Sequence, residues 1–154
     1  MLLLLGHTIY MKNTKLNRFI LCGLIGWCIE CFWTGLHAIF FATDKTLRCG
    51  SSVWMFPIYG MASLISPISK KLKGKSFVTR GGVYTVLIFV VEFITGSLLN
   101  FFHACPWNYS NARFQVKGLI RLDFAPLWFL VGLLFEKVLS ENHRLAIYKQ
   151  FFRH

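Results

Sequence analysis

Acidic residues are scarce in this 154-residue chain, with six aspartates and glutamates against 17 lysines and arginines, a formal net charge of +11. Charge of either sign is sparse as well. Charged residues make up 15% of the chain, where soluble domains carry about 25%, and hydrophobic residues make up 55%, with a mean hydropathy of +0.54. That apolar excess needs lipid around it and excludes a soluble enzyme or a disordered tail. The basic excess does not point to nucleic acid, because the charges form short clusters between apolar runs and not one basic face. A phosphate-cradling loop is missing too. The nearest approach to one is Gly74, Lys75 and Ser76, and the glycine required five residues before Gly74 is Ser69. Any ATPase must therefore be a separate chain. Zinc spacing is absent: Cys28 and Cys31 form a CxxC with no second pair and no flanking histidine pair, so no metal is expected and nothing demands a cofactor. The length suits a single membrane domain, 1–154, and no repeat, linker or low-complexity stretch divides it.

What the chain does have is long apolar runs, at about 19–41, 51–68, 82–102 and 122–139. At about 1.5 Å per residue, with about 17 to 25 residues needed, each can cross a bilayer as a helix. The second is interrupted by Pro57, Gly60 and Pro67, which allows a kinked or partly re-entrant course. The expected fold is an all-α integral membrane protein, a four-transmembrane-helix bundle in the bilayer. Orientation follows the basic residues. Lys12, Lys15, Arg18, Lys70, Lys71, Lys73, Lys75, Arg80, Lys137, Arg144, Lys149 and Arg153 fall on one side, and Lys45, Arg48, Arg113, Lys117 and Arg121 on the other, so both termini are expected to be cytoplasmic. The stretch 1–6 is apolar but too short for a signal peptide, and Met11 is an alternative start. In the tail, 140–154, Leu145, Tyr148 and Phe152 share a helical stripe with Arg144, Lys149 and Arg153 nearby. This suits either an amphipathic helix on the inner membrane surface or a solvated one.

Two acids stand where an acid is least welcome, Glu30 at the middle of the first run and Glu92 at the middle of the third. A central acidic residue opposes insertion by about 2.5 to 3.5 kcal/mol, so the two together cost about 5 to 7 kcal/mol. Each is accompanied at helical spacing, Glu30 by Thr34 and His37, and Glu92 by Thr95, Asn100 and His103. The two polar stripes are expected to face each other between helices 1 and 3. Two readings follow: a polar cavity that binds an ion, a proton or a head group, or protonated acids that only hydrogen-bond helices together. At the mouth of the fourth run Arg121 and Asp123 either reach toward a carboxylate or form an interfacial pair, while Glu136 and Lys137 read as a solvated helix end.

The outer loop, 103–121, is long and aromatic; Trp107, Tyr109 and Phe114 suit the membrane interface, and its length suits a lid or binding element. Cys49 and Cys105 both fall on the outer side, where either a disulfide between them or two free thiols is consistent with the sequence. Asn108, Tyr109 and Ser110 also spell a glycosylation sequon.

The series GWCIE from Gly26, SSVWMFPIYG from Ser51, EFITG from Glu92, ACPWNYS from Ala104 and KGLIRLDFAPLW from Lys117 resembles the transmembrane protein 229 group and the bacterial ABC-transporter type IV membrane proteins. The resemblance covers about residues 18–139. It implies a small multi-pass membrane protein, and it singles out Glu30, Pro57, Tyr59, Gly60, Glu92, Gly96, Trp107, Tyr109, Ser110 and Gly118. Asn108 stands where the family commonly has an aspartate, which weakens any charged-ligand role there.

Three functions fit these residues. The first is a permease-like component that binds a small polar or ionic ligand through Glu30, Glu92, Trp107, Tyr109, Ser110, Arg121 and Asp123 and works as a homo-oligomer or with a partner membrane subunit. The second is an intramembrane enzyme acting on lipid, with Glu30 or Glu92 as acid or base; no nucleophile is evident for it. The third is an assembly protein whose polar stripes only join helices.

Overall fold

The computed structural model describes residues 14–42 and 46–151, with side chains over 15–37 and 46–140. The alternative starts Met1 and Met11 lie outside the described residues, as do Phe152 and the side chains of Leu145 and Tyr148, and with them the tail stripe. The elements are α1 (Thr14–Ala42), α2 (Met55–Gly60), a 3-10 turn (Met61–Leu64), α3 (Ile65–Lys71), α4 (Phe77–Phe101), β1 (Gln115–Val116), β2 (Ile120–Arg121), a second 3-10 turn (Leu122–Phe124) and α5 (Ala125–Phe151). Two helical stretches, Lys15–His37 and Phe77–Phe101, are long and apolar enough to cross a membrane. The chain divides into two compact units, Met1–Ser63 and Leu64–His154.

In the first unit α1 packs on α2, and glycines set how closely. A Cβ on Gly23 would lie 2.8 Å from the Phe56 carbonyl oxygen, and one on Gly26 would lie 2.3 Å from Tyr59 Cγ. In return, Gly60 of α2 receives the Phe19 ring, which a Cβ would meet at 2.6 Å. With lipid outside, such close approach replaces the hydrophobic effect as the force that joins helices. The run expected as the second span is not one helix but two short ones with a 3-10 turn between them. Pro57 and Pro67 each occupy the first turn of a short helix, where an amide N–H has no partner in the helix in any case. Each proline therefore begins a helix and does not interrupt one.

In the second unit α4 starts at Ser76, whose hydroxyl accepts the Thr79 amide at 3.2 Å as an N-cap. It packs on α5 through reciprocal notches: a Cβ on Gly81 would meet the Phe129 ring at 2.2 Å, and one on Gly132 would meet Tyr84 Cβ at 2.5 Å. Tyr84 and Phe135 are fully buried in this seam. The opposite side of α4 exposes Val83, Val86, Val90, Ile94, Leu98 and Phe101, a continuous apolar stripe at spacings of three and four. A face of that kind suits lipid and not water. The helix closes with His103 in the left-handed region (φ 53), its amide bonding Asn100 O at 3.0 Å and the Ala104 amide bonding Leu99 O at 2.8 Å, a Schellman closure. The last helix runs without a break from Ala125 through the tail to Phe151.

Candidate functional site

Glu92 sits on the protein side of α4, opposite the exposed stripe and one turn before Gly96. The bare Gly96 surface seats the Trp107 ring, which a Cβ would meet at 3.0 Å. Trp107 is fixed there because its indole N–H donates to Leu119 O at 2.9 Å. The loop then folds back on itself. The Tyr109 amide bonds Gly118 O at 2.8 Å, and β1 and β2 pair antiparallel with Gln115 opposite Arg121. Lys117 (φ 52) and Gly118 (φ 68) turn the chain, and the Leu119 amide bonds Val116 O at 3.0 Å, the pattern of a type I′ hairpin turn. Gly118 also lies against Ser110, whose hydroxyl a Cβ would meet at 2.6 Å, so no larger residue fits.

This fold carries Tyr109 to the Glu92 carboxyl, and α5 brings the Trp128 indole to the same group. The bonding there is incomplete. Glu92 Oε2 and Trp128 Nε1 are both buried, and neither has a partner of hydrogen-bond geometry among the described residues. Phe124 stands between Tyr109 and Trp128, edge-on to both, with ring centroids 6.1 and 6.2 Å away. Arg121 lies over the Phe124 ring at 4.3 Å and over Tyr109 at 5.9 Å, while its Nε donates to Asp123 Oδ1 at 3.1 Å. The Asp123 hydrogen bond raises the Arg121 guanidinium above its usual value, and the guanidinium in turn holds the Asp123 carboxyl below the usual range.

Glu30 belongs to the first unit and has its own donors, Ser51 and Tyr59. The Trp27 indole donates to Ser51 Oγ at 2.7 Å, which leaves the serine O–H free to turn to the carboxylate. Glu30 Oε2 is also buried without a partner of hydrogen-bond geometry among the described residues.

The other expected positions fall in varied surroundings. Thr34 donates to Glu30 O at 3.0 Å and accepts the Gly50 amide at 3.3 Å, and Thr95 donates to Val91 O at 2.7 Å, so both hydroxyls serve backbone groups. His37, Asn100 and His103 are exposed. Ser110 is exposed as well, and its hydroxyl and amide both bond Asn108 Oδ1, at 2.6 and 2.9 Å. Asn108 thus uses its side chain to build the turn. All five cysteines are free thiols, and Cys49 and Cys105 lie in different units. No group of three or more metal-binding side chains occurs among the described residues.

One cluster is not evident in the sequence. Glu136, which reads as a solvated helix end, instead accepts from Arg80 Nη1 at 3.0 Å across the α4–α5 seam, and its side chain is only 14% exposed. The Tyr84 hydroxyl neighbours the same carboxylate. Glu136 is therefore a mid-helix residue facing Arg80 and Tyr84 of α4, since α5 continues to Phe151.

A family model described as "putative ABC-transporter type IV" matches residues 17–152. The chain belongs to this family. The match takes in Glu30, Glu92 and the whole aromatic loop, and the family name suggests an ABC-transporter-type membrane component. The two membrane-capable helices agree with it: this member of the type IV family is a membrane protein, mostly helical in build. No solved structure matches the chain.

Proposed function

We propose that the protein is the membrane-embedded, multi-pass component of a transport system and that it holds a small polar or ionic ligand at Glu92. The observation that carries this reading is the Glu92 carboxyl itself, approached by the Trp128 and Tyr109 side chains, with its Oε2 buried and without a partner of hydrogen-bond geometry among the described residues. A buried polar atom without a partner costs about 1–3 kcal/mol, and a ligand offering a donor to Glu92 Oε2 would recover it. Tyr109 and the aromatic loop form the cover of the site, and Arg121 with Asp123 stands at its rim. Glu30, with Ser51 and Tyr59, offers a second polar position of the same chemistry in the first unit. In this reading all four apolar segments lie in the bilayer, with both termini cytoplasmic. Energy, where ATP supplies it, comes from a separate chain, because this one has no phosphate-binding loop. A homo-oligomer or a partner membrane subunit completes the wall of the path.

The test is native mass spectrometry of protein purified in mild detergent, comparing wild type with Glu92→Gln and Glu30→Gln. A bound small molecule in the wild type that is lost in Glu92→Gln, at unchanged oligomer mass, is the expected result. Identical ligand complements in all three proteins would make the carboxylates structural and refute the reading.

A further inference from the structure

The segment 47–51 runs along one face of α1 and is attached to it at successive points. Gly35 receives the Leu47 carbonyl, which a Cβ there would meet at 3.0 Å. Thr34 accepts the Gly50 amide at 3.3 Å. Trp27 donates to Ser51 Oγ at 2.7 Å, two turns of helix before Gly35. Between these anchors the Cys49 side chain passes over the helix: its Cβ lies 3.9 Å from where a Gly35 Cβ would be, and its thiol meets that of Cys31, one turn before Gly35 on the same face. Cys31 is half-buried and Cys49 is exposed.

We propose that Cys31 and Cys49 are an oxidative modification site, a dithiol that closes to a disulfide and locks the segment 47–51 onto α1. The partner of Cys49 is then a residue of its own unit and not Cys105. The chemistry is thiol–disulfide exchange with a small disulfide such as oxidised glutathione. The exposed Cys49 loses its proton, and its thiolate attacks the glutathione disulfide, forming a mixed disulfide and releasing one glutathione thiolate. The Cys31 thiolate then displaces the second glutathione. Two cysteine thiols are oxidised, one glutathione disulfide is reduced to two thiols, and the two protons given up by the cysteines end on the two glutathiones. Side chains that already meet can make this bond without a large backbone movement, which is the geometric requirement a disulfide imposes. An oxidising compartment on the side that carries the segment would keep it closed.

The experiment uses the full chain in lipid nanodiscs, treated with oxidised glutathione, alkylated, digested with trypsin and read by mass spectrometry without reduction. Cleavage places Cys22, Cys28 and Cys31 in one peptide, Cys49 in a second and Cys105 in a third. The expected product joins the first two peptides within one chain, is two hydrogens lighter than their sum, persists in Cys28→Ser and Cys105→Ser, and is lost in both Cys31→Ser and Cys49→Ser. Gly35→Leu, which pushes Leu47 off the helix but keeps both thiols, is expected to slow closure while Cys49 stays reactive to alkylation. A link to Cys105, a link only between chains, a link that survives Cys31→Ser, or two alkylated thiols after oxidant treatment would each overturn the proposal.

Discussion

Removing the Glu136 carboxylate leaves the Arg80 guanidinium in the α4–α5 seam without its counter-charge. Losing one partner of a fully buried pair costs about 3–5 kcal/mol, because the remaining charge is neither solvated nor paired. Arg80 is 32% exposed against 14% for Glu136, so part of the guanidinium still reaches water or head groups. That places the expected loss for Glu136→Ala at about 2–3 kcal/mol. The loss for Arg80→Ala should be at least as large, since it leaves the more enclosed partner alone beside Tyr84. Combining Arg80→Met with Glu136→Leu removes both charges and restores apolar packing, and should return to within about 1 kcal/mol of wild type. The assay is reversible unfolding in detergent micelles, with the coupling read from a cycle closed by the Arg80→Ala/Glu136→Ala double variant and the Met/Leu pair measured beside it. A coupling energy below about 0.5 kcal/mol would refute the reasoning, since that is the value of a solvated surface pair.

The glycine notch at Gly26 should tolerate no side chain, because a Cβ would lie 2.3 Å from Tyr59 Cγ. Gly26→Ala should therefore cost about 1–3 kcal/mol by overpacking, while Gly82→Ala, whose Cβ meets nothing within 4 Å, should be neutral or slightly stabilising in the same unfolding assay. The Arg121–Asp123 pair has a pH signature. Since the folded state holds the Asp123 carboxyl low, its contribution is fully present above the unfolded aspartate value of about 3.9 and is lost only as pH falls through the lower folded value. Carboxyl-carbon NMR of Asp123 should follow this course; a titration midpoint at or above the free-aspartate value would sink the assignment.

The long helices were legible in the sequence because hydropathy summed over about 20 residues is a strong signal, and α1 and α4 cover the first and third apolar runs. The second run was less so. Its prolines were visible, but whether Pro57 and Pro67 kink one helix or begin two depends on which amides already lack partners. Glu92 could be singled out from its cost alone, whereas Trp128 could not, because a tryptophan in an apolar run reads as an interfacial anchor until its neighbour is known. The loop hairpin escaped for a similar reason. Lys117 and Gly118 form a turn only through two positive φ angles, and lysine gives no hint of adopting one. Glu136 read as solvated because the fourth apolar run ends near it, yet the helix itself continues to Phe151.

The Arg80–Glu136 pair also bears on how the chain is made. The two residues are 56 positions apart, so the ribosome delivers Arg80 long before its counter-charge exists. Until α5 emerges, the first turn of α4 must keep its guanidinium toward head groups or water; once Glu136 arrives, the two helices settle against each other as a hairpin. Packing of α4 on α5 thus waits on Glu136, and a chain truncated before it would leave Arg80 without the counter-charge that pairs it in this seam.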